Sequence, residues 1–198
     1  SIGEAAFNRC TSLRNIRIPA GVTSIADDTF YGCTSLHSVG FHDNITRIGV
    51  NTFDKCYALT LEETNQDNPY NLPVSLTTLG ECAFQNCTSL KEVELPETLV
   101  YLGVYSFRGC TALRDVKLPE GICIICAKTF HNCSALEKVE LPVSLKNIDM
   151  RAFAKDEALH TVIYHGTEAQ WEKILISGTA SDNQYLLAAE RRCLKEEP

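Results

Sequence analysis

LGECAFQNCTSLKEVELPETLVY, residues 79–101, runs directly into LGVYSFRGCTALRDVKLPEGICI, residues 102–124. The two stretches are the same 23-residue unit written twice: an aliphatic residue with a small partner, then a small residue and Phe, then xxCxxLxxVxLP. Phe84, Cys87, Leu90 and Val93 are three apart, a spacing that suits a tight turn or a short helical arc. Leu95 follows Val93 at two, and a V-x-L alternation suits a strand, whose side chains change face at every residue. Each unit is therefore expected to turn, lay down one short strand, turn at the Pro and start again.

The phase carries through nearly the whole chain. Phe7, Phe30, Phe53, Phe84, Phe107, Phe130 and Phe153 align, as do Leu13, Leu36, Leu59, Leu90, Leu113, Leu136 and Leu159. The step is 23 residues throughout except between the third and fourth units, where it is 31. A fixed period of this length predicts a solenoid, because no unit can bury its own apolar face alone. Parallel strands stack about 4.8 Å apart, so seven units should span roughly 30–35 Å.

Composition narrows the function classes. The formal charge of −7, from 18 basic and 25 acidic residues, disfavours nucleic acid, which selects basic stripes. No apolar run approaches the roughly 20 residues of a membrane span. Ten cysteines look like a disulfide framework, but Cys10, Cys33, Cys56, Cys87, Cys110 and Cys133 share one core-facing position between the Phe and the Leu. There a thiol packs as a small hydrophobe with a weak donor, and neighbours in a row point the same way, unsuited to bridging. The cysteine count consequently says little about redox compartment.

Units one and two are regular, with Ile16, Ile18, Val39 and Phe41 expected inward and Asn15, Arg17 and Ser38 outward. The chain begins inside a unit with nothing to cover its first face, so a fragment of a longer array is expected. After Leu61 an insertion of eight residues, in the polar stretch 62–71, leaves the repeat. It reads either as part of a binding face or as a tolerated surface loop. Units four to six put Glu92, Glu94, Asp115, Lys117, Lys138 and Glu140 outward, with Glu94, Lys117 and Glu140 in line for cross-strand pairing. Unit seven replaces its Cys with Asp156 and its Leu-Pro with Tyr164-His165-Gly166, the mark of an ending repeat. Residues 1–164 thus form the solenoid and 165–198 a capping segment. In it Thr167 and Gln170 form a capping box, and Trp171 and Ile174 share a face. Leu186 to Leu194 reads equally as strand or short helix.

The unit AFxxCxxLxxVxLPxxLxxIG resembles the BspA-type leucine-rich repeat family over about residues 1–164. The stretch YHGTEAQWEKI, residues 164–174, is similar to the Y-x-G-T-x-x-Q-W-x-x-I segment that closes many such arrays. The family occurs in surface and secreted proteins of host-associated bacteria and in some protozoa. The resemblance implies a curved, right-handed leucine-rich repeat solenoid of the α/β type, with a parallel sheet on its concave side used for adhesion or protein binding. It implies a cell-surface or secreted location, an extracellular host or matrix partner, and no catalytic motif.

The sharpest chemical candidate, CIICAKTFHNC, supplies Cys123, Cys126, His131 and Cys133 with a C-x-x-C start that fits zinc, or else a local Cys123–Cys126 disulfide. Against both, Cys133 belongs to the core row, Cys126 fills the small slot and Cys123 a turn slot, so packing is the plainer reading. None of the five histidines stands at a spacing known for nucleophilic catalysis. No enzyme, cofactor or metal site is expected. What remains is a non-enzymatic binding or adhesion module, a passive spacer presenting another domain or, more distantly, part of a larger enzyme. A partner is expected to touch Glu92, Glu94, Asp115, Lys117, Lys138 and Glu140 together with Asp67 and Tyr70 of the inserted loop, the loop supplying the aromatic that the strands lack. Thiol titration under denaturing, non-reducing conditions should find most of the ten cysteines reactive. Fewer than half would contradict the reading of the Cys row.

Overall fold

The computed structural model of the chain describes residues 2–61, 72–179 and 181–196. The spacing of three becomes a run of i→i+3 turns rather than a helix. The Phe84 carbonyl accepts the Cys87 amide at 3.2 Å, the Cys87 carbonyl that of Leu90 at 3.1 Å, and the Pro96 carbonyl that of Leu99 at 3.0 Å. Two residues in every unit hold positive φ, one two positions before the Phe and one two positions after it, such as Cys82 at 54° and Asn86 at 59°. That alternation turns every second amide of the Phe arc out of its own unit. Cys82, Phe84 and Asn86 donate to the carbonyls of Val104, Ser106 and Arg108 in the next unit, at 3.0, 2.8 and 2.7 Å. The same bond joins Phe30 to Thr52, Phe53 to Ala83, Phe107 to Thr129 and Phe130 to Ala152, each at 2.8 or 2.9 Å.

Stacked units stack their core residues. The seven aligned Phe rings form one column, successive centroids 5.1 to 5.6 Å apart and planes within 16°. This is offset stacking, worth about 0.5–1.5 kcal/mol per pair beyond burial itself. The cysteine row runs beside it. Cys33, Cys56, Cys87, Cys110 and Cys133 each donate Sγ–H to the Phe carbonyl of the preceding unit, at 3.0 to 3.2 Å. Burial pushes these thiols up, Cys33 to about 11 and Cys110 to about 12, so they keep the proton they donate.

The V-x-L segments form a first parallel ladder. β1 (Asn15–Arg17) pairs with β3 (Ser38–Gly40), and β7 (Asp115–Lys117), β9 (Lys138–Leu141), β11 (Thr161–Tyr164) and β13 (Glu190–Cys193) follow one another in a four-stranded sheet. Val116, Val139 and Val162 stand in register, and Glu92 bridges to Asp115. A second parallel ladder, unforeseen in the sequence, is built from the aliphatic-small openings. β2 (Ser24–Ile25), β4 (Arg47–Ile48), β5 (Thr78–Leu79) and β6 (Tyr101–Leu102) form one sheet, and β8 (Ile124–Ile125), β10 (Asn147–Ile148) and β12 (Leu175–Ile176) another. At Gly103 the close approach requires glycine, since a Cβ there would lie 2.5 Å from the Gly80 carbonyl carbon, whereas Ala26, Cys126 and Asp149 hold the same position in other units.

Ser38 departs from expectation. It is buried rather than outward and donates its hydroxyl to Asn15 Oδ1 at 2.7 Å, linking the first two units. The segment after Tyr164 resolves the strand-or-helix ambiguity as both. α1 (Glu168–Trp171) carries the Thr167–Gln170 capping box, and α2 (Gln184–Ala188) is followed by β13. β12 and β13 extend the second and first ladders, and Trp171 packs edge-on against Tyr164 at 5.5 Å. The Phe153 amide, which has no following unit, donates instead to the Asn183 side chain at 3.0 Å.

Asp156, at the Cys position of unit seven, is fully buried. Its Oδ1 accepts the Cys133 amide at 2.7 Å while Oδ2 has no partner. Burial pushes its carboxyl from the ordinary 3.8 up to about 9. Between those values the unfolded chain has released a proton that the folded chain retains. Stability is therefore full below about 3.8 and falls as pH rises toward 9. Asp156→Cys should flatten that decline in urea unfolding between pH 5 and pH 8. At pH 8 it should add about 1–3 kcal/mol, the cost of a buried polar atom without a partner. An unchanged pH slope would contradict this account.

Candidate functional site

The first ladder presents its outward residues in columns fixed by strand register. One column runs Glu92, Asp115, Lys138, Thr161 and Glu190; the next runs Lys117, Glu140, Ile163 and Arg192. Glu92, Asp115, Lys117, Lys138 and Glu140 are thus brought onto one surface, and Glu94 lies in the unit that precedes Lys117. Asp67 and Tyr70 lie outside the described residues.

Register alone does not decide which charges meet. The Lys117 ammonium, although in line with Glu140, reaches Glu97 at 3.9 Å. Glu140 takes Lys138 of its own strand at 3.1 Å and His165 Nε2 at 3.5 Å. Nδ1 of His165 lies 3.8 Å from Glu120. Glu140 is thus paired within its own strand and to His165 after β11, and Lys117 to a turn of the preceding unit. Arg192 with Glu190 at 2.9 Å repeats the pattern in β13. Lys117 and Glu97 are more than half exposed, so solvent leaves that pair about 0–1 kcal/mol. Glu97, Glu120 and His165 escaped the sequence reading because they sit on turns, outside the period-two alternation that marks the strands.

The second ladder adds a different surface. Its outward positions read Ser24, Arg47, Thr78 and Tyr101, then Ile124, Asn147 and Leu175. The column changes from polar to apolar along the solenoid. Tyr101, Ile124 and Leu175 are 43%, 45% and 60% exposed, and Val100 beside them 58%. A search for an aromatic confined to V-x-L positions misses Tyr101; the two-residue opening before the small residue was the available signal.

The Phe arcs make the third surface, where cations flank tyrosines. Arg9 and Lys55 lie over Tyr31 at 6.0 and 4.8 Å, and Arg108 and Lys128 over Tyr105 at 5.6 and 5.2 Å. At its C-terminal end this surface opens into a cavity of about 390 Å³ lined by His131, Arg151, Lys155, Ser181 and Tyr185 among others. Burial, with Arg108, Lys155 and Lys128 nearby, holds the His131 imidazole below its ordinary pKa.

The cysteines of CIICAKTFHNC part company. Cys123 is exposed, Cys126 half-buried and Cys133 in the core, while His131 faces the arc cavity. Among the described residues no three His, Cys, Asp or Glu side chains gather to hold a metal ion, and no helix is long and apolar enough to cross a membrane.

The model of the BspA type leucine-rich repeat region matches residues 1–68 and 60–178, with six copies. Among solved structures, a leucine-rich repeat protein of T. pallidum is similar at 26% identity and TM-score 0.68, over 79% of this chain and 69% of that one. A leucine-rich cell surface protein of Faecalibacterium prausnitzii is similar at 27% identity and TM-score 0.54, over 88% of this chain and 65% of its own. A leucine-rich repeat protein of Bacteroides ovatus shares the fold at 23% identity and TM-score 0.68, over 97% of this chain and 58% of its own. The chain thus spans less than two thirds of the last two proteins. No curated protein sequence matches it.

Proposed function

The chain belongs to the BspA-type leucine-rich repeat family, and from that membership we propose that it is a non-enzymatic binding or adhesion module of a cell-surface or secreted protein. Proteins of this repeat class generally mediate protein interaction and are generally not enzymes. The observation that carries the reading is the first ladder. Its strands hold Asp115, Lys117, Lys138 and Glu140 in fixed register, so a partner meets many side chains on a frame that loses little freedom on binding. The partner is a protein or another extracellular host or matrix component. It touches these residues with Glu92 and Glu94, and takes Asp67 and Tyr70 from the insertion between Leu61 and Leu72. The surface location is supported by the relative described as a cell surface protein.

The alternating charges would make association salt-sensitive, since steering between exposed charges is screened beyond about 10 Å at 0.1 M salt. The test is a binding survey against immobilised matrix and mucin glycoproteins at low and high salt. At least one should bind the native chain. The double charge reversal Lys117→Glu with Glu140→Lys, and separately deletion of residues 62–69, should each weaken it about tenfold or more. Deletion restores the 23-residue step and should leave the solenoid folded. Binding indifferent to both changes would overturn the assignment, and a chain that binds nothing would be the passive spacer.

A further inference from the structure

We propose that the cleft between the seventh unit and the C-terminal segment is an oxyanion-binding site, suited to the sulfate or carboxylate group of an acidic saccharide or of a free anion. The reading is independent of the ladder face, which lies on a different side of the solenoid.

The cleft has a simple origin in the repeat. The residue after each core Phe reads Gln85, Arg108, His131 and then Ala154. Three long side chains are followed by a methyl group, and the missing volume is the hollow. The C-terminal segment brings Ser181 and Tyr185 against it, closing about 390 Å³, within the roughly 300–1,000 Å³ of small-ligand sites.

The charge around this hollow runs against the chain as a whole, which carries −7. Arg108 donates to the neutral Gln85 Oε1 at 3.2 Å and Lys128 to the Tyr105 hydroxyl at 3.1 Å. Among the described residues neither they nor Lys155 pairs with a carboxylate. All three lie close enough to His131 to disfavour its protonation. The one carboxylate lining the cavity, Asp182, is already neutralised. Its Oδ1 takes Arg151 Nε at 2.8 Å and its Oδ2 the Thr179 amide and hydroxyl at 2.8 and 3.0 Å. His131 Nδ1 is sealed from solvent with no hydrogen-bond partner.

Lys155 thus lines a concave, partly desolvated site without a counter-charge, and Arg108 and Lys128, outside the lining but near His131, add to the positive field there. The site lacks an anion. Lys155, at the mouth, supplies a charge-assisted donor, and the remaining guanidinium N–H groups of Arg151 supply more. Ser181 and Tyr185 line the same hollow and bring a hydroxyl and an aromatic ring to it, a combination that suits a sugar.

The test uses the full chain with its histidine ring signals followed by NMR. Sodium sulfate is titrated against sodium chloride at matched ionic strength. A saturable shift of the His131 ring with sulfate, absent with chloride, is expected, with His37 and His160 unaffected. Lys155→Glu, a surface substitution in the cavity lining, should weaken the effect about tenfold or more and Arg108→Glu, outside the lining, should weaken it less, whereas Lys117→Glu on the first ladder should leave it unchanged. A sulfated disaccharide that binds tighter than inorganic sulfate, against its unsulfated counterpart, identifies an acidic saccharide as the source; equal affinity identifies the free oxyanion. A response that does not saturate, that chloride reproduces, or that survives Lys155→Glu overturns the proposal.

Discussion

When the amide of one core phenylalanine donates to the carbonyl just before the next, it fixes more than a hydrogen bond. It sets the distance between coils at which the Phe rings stack, and it leaves the Phe carbonyl, which takes the Cys amide of its own turn, a second lone pair for a thiol from the following coil. The geometry requires left-handed backbone on both sides of every Phe, at ordinary residues such as Asp28, Tyr105 and Lys128. Such conformations cost about 1–2 kcal/mol each. They persist because each one aims an amide at the next coil, and the bonds and stacking it allows offset the strain. One coil alone has the cost without the gain, and this explains why the structure exists as a stack.

The ends of the stack follow from the same rule. Amides of the Phe arc point toward the C-terminus, so the last coil is left with donors and no acceptor. Asn183, fully buried, gives its side-chain oxygen to Phe153 and its amide to the Asp149 carbonyl, taking the place of a missing coil with a single residue. Asp156 breaks the cysteine row in the last unit, where its Oδ1 takes the Cys133 amide of the coil before it.

The repeat, the inward V-x-L residues and the cysteine row from Cys33 onward were legible because each recurs at a fixed phase, whereas Cys10 in the first unit is exposed; the Thr167 capping box, a local pattern, was legible too. Ser38 was misread because its hydroxyl answers Asn15 one coil away, a pairing that a single unit does not display. The second ladder was missed because two-residue strands leave no alternation to read. The ion pairs of Lys117 and Glu140 run through turn residues, Glu97 and His165, which lie outside the strand pattern. The arc cavity was invisible for a related reason. It is made by what Ala154 lacks and by a segment, Ser181 to Tyr185, that follows no period. Periodicity reveals the frame, while surfaces are built where it is broken.

Site-resolved native-state hydrogen exchange tests the central claim most directly. If the Phe-arc amides hold the coils together, those of Phe30, Phe53, Phe84, Phe107 and Phe130 should rank among the slowest in the chain and exchange at closely similar rates. Phe153, held by a side chain, should join them. Arc amides that exchange as fast as those of exposed turns, while the two strand ladders stay protected, would contradict the account.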